Sequence, residues 1–460
     1  MALDAACEVL LTFNEFATPF TEVVDFDACI GGAISTEARN LLREATHTRR
    51  TLVQSLDNGS YRVDPRNVVG GVDLYLPALY RITRSMEESA SAQITLVRPL
   101  EFKWNSVLVK AKNQKRPFTH GTLVYELSFM LTIRALAHYN TARLLLDPEN
   151  SARTDNLVNA SKELRKGAGV LEFVAQVLLP RWIDPPAQRP PEVRSAVVRP
   201  LCNMFLAMAQ RITVVQAILK GSAPSVIAKL LLGLSDRYTS INQEFVRVER
   251  PVYETLTETL VDEAPLMATV CYSLGLRYLG EAAKADAKPG EAVAYTRFAS
   301  ENIMRATYTA AMAKLYQSRL DEARSDIDVI FHECREENEK VYFDAVPTRE
   351  RLKIPEGQFI VNPQDFSMPE VDTLSFASRD AEAGAAAAAA SANKGSKRSS
   401  LSNWFSFGSS KAGDSRSTTS AASAAAGGYE CPPGYDKEVF DSLPDDIKRD
   451  VLEQHRAGRS

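Results

Sequence analysis

Five histidines are spread along the chain, at positions 47, 120, 138, 332 and 455, and none pairs with another in the H-E-x-x-H spacing that sets two imidazoles on one helix face. His332-Glu333-Cys334 offers two metal ligands with no third or fourth nearby, so a polar helix surface is the better reading. Gly167-Ala168-Gly169 lacks the G-x-G-x-x-G frame and falls in a helical pattern, where small residues permit close packing. Gly70-Gly71 reads as a turn or a helix contact. Neither a G-x-S-x-G elbow nor a Walker sequence is present. Paired carboxylates are numerous, but they sit on polar helix faces. The residue types therefore point away from an enzyme, with no metal or cofactor expected. The chemistry left to the chain is non-covalent recognition.

The residues best spaced for recognition lie near the end, in Asp436–His455, DKEVFDSLPDDIKRDVLEQH. Val439-Phe440, Leu443-Pro444, Ile447 and Val451-Leu452 place apolar groups at a nearly helical rhythm on both sides of one proline. Pro444 suits the first turn of a helix and breaks a helix behind it. Ser442 stands three residues before Asp445, like a capping box with Asp in place of Glu, and Asp445 and Asp446 lie where a helix dipole favours negative charge. Two short helices hinged at Leu-Pro follow, with Phe440, Leu443, Ile447 and Val451 on one side. A helix of about a dozen residues is marginal alone in water, so this face needs a partner, either the main body or another protein. The pattern V-F-x-x-L-P-x-D-I-x-x-x-V-L resembles the ubiquitin-binding motif of translesion polymerases at Phe440, Leu443, Pro444, Asp446 and Ile447, and departs from it at Asp450, where that family more often has Glu. The resemblance implies that these residues, with Val451, hold an apolar patch of ubiquitin.

A second candidate is basic. Lys103, Lys110, Lys112, Lys115 and Arg116 follow one another with no acid among them. They read either as a patch for an acidic lipid or partner, or as a solvated edge and loop.

The elements that position these groups are mainly helical. Periodic apolar residues open a helix from Thr36, and a second is expected around Val72–Met86, after turn signals at Asn58-Gly59 and Asp64-Pro65. Gln93–Val109 alternates like strands, Ile94 and Leu96, then Leu100, Phe102 and Trp104, with Arg98-Pro99 between. A small hairpin is the simplest reading. From Gly121 to about Glu337 nearly everything is helix. Val197, Leu201, Phe205, Met208, Ile212, Val215 and Leu219 step by 4, 4, 3, 4, 3 and 4, one stripe of a long helix. Small residues and aromatics flank Lys288-Pro289-Gly290 as in tetratricopeptide hairpins, though no strict 34-residue period runs through the chain.

Three stretches in this body carry a further resemblance. Ala160–Phe173, Phe205-Leu-Ala-Met-Ala-Gln210 and Glu337-Asn-Glu-Lys-Val-Tyr-Phe-Asp-Ala-Val-Pro347 resemble, in order, the A-x-x-x-x-x-x-A-G-x-F/L helix, the L-A-Q-A-Q helix and the closing E-N-D-x-I-Y-x-x-x-V-P of the Bro-type domain of Alix-like endosomal adaptors. The resemblance implies a curved, banana-shaped helical solenoid with a small sheet, over residues 1–376. It also implies a role in docking the C-terminal helix of an ESCRT-III subunit at endosomal membranes. The helix Val197–Leu219 is then the candidate groove wall, with Leu201, Met204, Phe205 and Met208 as candidate contacts, and Leu201, Met204 or Met208 expected to be exposed.

Residues 377–428 turn to Ala, Ser, Gly and Lys and are expected to be disordered, a linker of about 50 residues spanning roughly 35–45 Å root-mean-square. Within it, Lys397–Phe407 sets Trp404, Phe405 and Phe407 beside basic residues, a membrane or peptide contact or an inert tether. Residues 429–460 form the recognition module. The net charge of −4 gives no reason to expect nucleic acid. Six cysteines without C-x-x-C spacing fit a reduced intracellular chain. An acidic N-terminus fits no secretory signal, an Arg-Ser end encodes no prenyl anchor, and no apolar run of about 18 residues is seen to cross a membrane. The expectation is a non-enzymatic, cytoplasmic sorting adaptor recruited to endosomes. The alternative is a signalling or membrane-associated scaffold whose C-terminal helix docks on its own body.

Overall fold

Ser35 begins the first long helix because its hydroxyl accepts the Ala38 N–H (3.1 Å), and Glu37 in the first turn suits the dipole. In the computed structural model this helix, α3, runs Thr36–Leu56 and buries Ala38, Leu41, Leu42, Ala45 and Leu52. The structure describes residues 3–31, 34–56, 63–88, 95–114 and 116–376, and 429–433, 435, 437–443, 445, 448–449 and 451–452 near the end. Before α3 stand two short helices, α1 (Ala5–Leu10) and α2 (Phe26–Cys29). After it come α4 (Pro65–Glu88), α5 (Leu123–Leu145), α6 (Leu157–Phe173), α7 (Ser195–Leu219) and α8 (Pro224–Val246). Short α9 (Arg250–Tyr253) and α10 (Glu258–Val261) lead to α11 (Glu263–Ala285), α12 (Pro289–Ile303) and α13 (Ala310–Glu337). Near the C-terminus lies α14 (Lys437–Ser442). Long neighbours in sequence pack on one another from α3 to α8, and α11 continues the stack on α8.

Asp64-Pro65 is a helix start rather than a separate turn. The Asp64 carboxylate accepts the Arg66 N–H (2.9 Å), and proline has no N–H to lose at the first helical position. The stripe on α7 is buried from Val197 to Val215. By length and composition α7 is apolar enough to cross a membrane, which the sequence reading did not anticipate. Its packing against α6 and α8 makes it a core helix instead.

Among the described residues of Gln93–Val109, which begin at Thr95, the expected hairpin does not form. The strands β1 (Ile30–Gly31) and β2 (Thr95–Leu96) pair with each other, and β3 (Phe102–Trp104) pairs with β4 (Phe118–His120), both antiparallel. Val97 N–H bonds the Cys29 carbonyl (3.0 Å) and Pro99 offers no donor, so the two halves of this stretch are drawn to different partners.

Two buried ion pairs tie distant elements. Arg49 of α3 meets Glu126 of α5, whose other oxygen accepts the Trp104 indole N–H (2.7 Å), while Arg49 also donates to Thr21 (3.0 Å). Arg211 of α7 meets Glu263 of α11 (3.0 Å) and donates to the Leu10 carbonyl (2.7 Å) and the Val9 carbonyl (3.2 Å) at the end of α1. Tyr316 of α13 completes the second network by donating to Glu263 (2.9 Å). Arg211 thus serves as a C-terminal cap for α1.

Candidate docking surfaces

After α13 one π-helical turn, Asn338–Tyr342, closes the helix. Asn338, almost wholly buried, accepts the Asp344 N–H (3.0 Å) and donates to the Asp344 carbonyl (3.0 Å), which holds Phe343 in the left-handed region (φ 57). That clamp gives Asn338 of the Glu337–Pro347 stretch a structural cause. It turns the chain back, and residues 353–376 then run extended across the helices in reverse order. Tyr295 of α12 donates to the Lys353 carbonyl (2.8 Å). At α8 the Gln358 N–H bonds the Lys229 carbonyl (2.8 Å), and at α6 the Gln364 N–H bonds the Arg165 carbonyl (3.0 Å). Further on, Arg81 of α4 donates to the Asp372 carbonyl (2.8 Å), and Ser35 N–H reaches the Phe376 carbonyl (2.9 Å). The strap therefore links the end of α13 to the start of α3.

Two helix glycines make this approach possible. Each stands four residues after the carbonyl that the strap engages, Gly233 after Lys229 and Gly169 after Arg165. A Cβ on Gly233 would lie 2.3 Å from the Gln358 oxygen, and one on Gly169 would lie 1.7 Å from the Gln364 oxygen. Between them Gln210 of α7 acts as a substitute backbone. Its Nε2 donates to the Gln358 carbonyl (2.7 Å) and its Oε1 accepts the Ile360 N–H (2.8 Å). Gln210 is the last residue of the Phe205–Gln210 motif, so its place there has a structural cause. The strap is not legible in the sequence pattern. The available signal was glycine inside helices, where alanine would be favoured. Of the glycines singled out in the sequence, Gly169 is one that the strap crosses, while Gly71 packs on Leu52 and Gly167 on the Phe205 ring, both helix contacts.

The C-terminal segment lies on this same side. Helix α14 packs on α8, and the Asn362 amide of the strap donates to the Tyr435 hydroxyl (3.4 Å). Phe440 is 0% exposed, and Leu443 and Val451 are 3% exposed, all joined to the body's apolar core. Fully burying such a side chain is worth about 1.5–3 kcal/mol relative to exposure, so a body surface competes strongly for them. Pro444, Asp446 and Ile447 lie outside the described residues, as do Lys115 and the 377–428 stretch with Trp404.

The α7 positions offered as a groove wall are corrected by the structure. Leu201, Phe205 and Met208 are 0% exposed and Met204 is 1% exposed, because α6 and α8 close on both flanks of α7. None is free to meet a partner. The basic stretch is also less open than its local sequence suggests. Lys103 pairs with Glu22 (3.1 Å) and Lys110 with Glu258 (3.6 Å), acids remote in sequence, while Lys112 and Arg116 are exposed.

No described cluster of His, Cys, Asp and Glu has the makings of a metal site. His332 is exposed against Arg335, whereas Cys334 points into the fold. Burial pushes the Cys202 and Cys271 thiols up to about 12, which leaves them unreactive near neutral pH. The surfaces described above can bind extended chain and short helices.

A family model for the BRO1-like domain matches residues 41–382. The fold is similar to that of the ALIX BRO1–CHMP4C complex, with a TM-score of 0.61 and 18% identity over 79% of this chain and 98% of that one. It is similar to ALIX in complex with the SIVmac239 PYKEVTEDL late domain, at a TM-score of 0.62 and 16% identity, over 79% of this chain but 50% of that one. It is also similar to a Bro1 domain studied for endosomal targeting, at a TM-score of 0.56 and 16% identity, over 75% of this chain and 92% of that one. At these identities the likeness is one of fold. No curated protein matches the chain significantly by sequence. With a match over most of its length and a curved, mainly helical body, the chain belongs to the BRO1-like domain family.

Proposed function

We propose that this chain is a non-enzymatic adaptor of endosomal sorting, cytoplasmic and recruited to endosomal membranes. Its body binds the C-terminal helix of an ESCRT-III subunit, and its C-terminal residues around Phe440, Leu443, Pro444, Asp446, Ile447 and Val451 bind ubiquitin. The observation that carries the first half is family membership, with a body that covers 98% of the BRO1 chain in the ALIX BRO1–CHMP4C complex. A surface of stacked helices suits a partner that lays one apolar side of a helix into a groove. The buried α7 stripe is not that surface. The second half rests on the Leu-Pro pattern alone. Two weak sites on one chain gain avidity through effective concentration, which suits cargo that must later be released.

The test is direct. Fluorescence anisotropy of a labelled CHMP4-type C-terminal helix should show saturable binding to the purified full chain, and no binding by a folded chain would remove the ESCRT-III half. Labelled ubiquitin titrated with the full chain should show localised shifts, lost with Leu443→Ala and Pro444→Ala together. The basic stretch does not enter the proposal, because Lys103 and Lys110 already face carboxylates.

One observation favours part of the rival reading, a scaffold with a self-docking tail. Phe440, Leu443 and Val451 are buried against their own body. The tail then has two claims on the same side chains.

A further inference from the structure

We propose that the face formed by α8 and the strap at Asn362 is a docking site for the described residues of the chain's own tail, from Tyr435 through 437–443 to 451–452, and that this contact withholds the tail from ubiquitin until it releases. The inference rests on the ubiquitin reading above only for the identity of the partner that is withheld.

The occupant is set by what the structure seats there. Helix α14 lies on α8, Tyr435 contacts Asn362 of the strap, and Phe440, Leu443 and Val451 are 0–3% exposed. Cys431 and Tyr435 are packed on the same core and Pro432 is buried, so the contact extends upstream of the helix. The segment also carries Lys448 and Asp445 as its own ion pair (3.7 Å), which leaves the apolar groups as its main offer to the body. A single fully buried Phe440 cannot face two partners at once. Docking and ubiquitin binding are therefore mutually exclusive and linked in free energy.

The receiving face is itself conditional. It exists because the strap lies against α8, and the strap lies there because Gly233 and Gly357 cross backbone to backbone, a Cβ on Gly357 falling 2.2 Å from the Gly233 nitrogen. A residue with a side chain at 233 must lift the strap. Gly233→Ala therefore disrupts the docking face without touching the tail, while Phe440→Asp disrupts the tail without touching the face.

The experiment is hydrogen exchange of the full chain, wild type and both variants, paired with a titration of labelled ubiquitin. In wild type the amides of 437–443 should be protected, since a six-residue helix has no stability alone. That protection should not change with protein concentration, because the contact is within one chain. Both variants should lose it while α5 and α7 keep theirs, which also shows that the body remains folded. A tail docked about nine-tenths of the time weakens apparent ubiquitin affinity about tenfold, so Gly233→Ala should bind ubiquitin about tenfold more tightly than wild type. Unprotected 437–443 in wild type, or full protection retained in Gly233→Ala, would overturn the docking site. Ubiquitin that binds wild type and Gly233→Ala equally, with the tail docked only in wild type, would overturn the withholding. Loss of protection in both variants with no ubiquitin binding by either would leave the docking site standing and remove the ubiquitin reading.

Discussion

Arg211 shows how much of this protein depends on single polar side chains. It is fully buried, yet it meets Glu263 and the carbonyls at the end of α1. Removing one partner of a buried pair leaves the other charge without compensation, at a cost of about 3–5 kcal/mol. Arg211→Ala should lower stability by that amount in chemical denaturation, whereas an exposed charge such as Arg250 should matter little when removed. A second residue-scale effect is set by pH. Burial holds the His138 imidazole below its ordinary value, Arg134 and Lys166 add to this, and the neutral ring pairs with Glu163 (2.6 Å). Burial also opposes charge on Glu163, but bonds from His138 and Lys166 outweigh it and hold its carboxyl at about 2. Both groups bind fewer protons folded than unfolded. Stability should therefore fall as pH drops below the ordinary imidazole value of 6.5, and again from the ordinary carboxyl value of 4.5 toward 2. The second window should amount to roughly 2 kcal/mol after screening by solvent. His138→Gln should flatten the slope between pH 7 and 5, and an unchanged slope would assign it to other groups. None of these pairs was legible in the sequence. Arg49 and Glu126, or Arg211 and Glu263, lie far apart along the chain, and only the fold brings them together.

At the scale of elements, the helices were legible and the strap was not. Apolar periodicity reports which side of a helix is buried, so α3 and α7 appeared where the stripes placed them. The same periodicity cannot say whether a buried stripe is core or groove, which is why Leu201, Met204, Phe205 and Met208 were misassigned. Short strands fared similarly. The alternation holds at Leu100, Phe102 and Trp104, all buried, but β2 pairs with residues 30–31 and β3 with 118–120, and local pattern carries no pairing information. The strap has no periodicity to read, and its anchors are backbone groups. Its trace in the sequence is the pair Gly169 and Gly233. Gly169→Ala should displace the strap at Gln364 and cost about 1–3 kcal/mol through overpacking, with faster exchange of residues 362–366. Gly70 in α4 has nothing within 4 Å of an added Cβ, so Gly70→Ala should be neutral or stabilising by up to about 1 kcal/mol. Equal effects at both positions would mean that the strap does not hold α6 as the structure has it.

For the molecule as a whole, the sequence carried the family through three separated motifs, and the structure supplies a reason within each, beginning with Gly169, which admits the strap on α6. Gln210 holds the strap on α7, and Asn338 turns the chain into it. The Leu-Pro tail was legible as an apolar surface in search of a partner, and the side chains seen there are already against the body. What the sequence left open, body or foreign partner, becomes a competition between the two under the proposal above. The central claim is that the body serves sorting by receiving an ESCRT-III helix. The measurement that tests it most directly is the affinity of the full chain for a CHMP4-type C-terminal helix, beside the same peptide with its apolar face made polar. The account predicts saturable binding to the first and none to the second. Equal binding to both peptides, or binding to neither by a chain whose helices are intact, would contradict it.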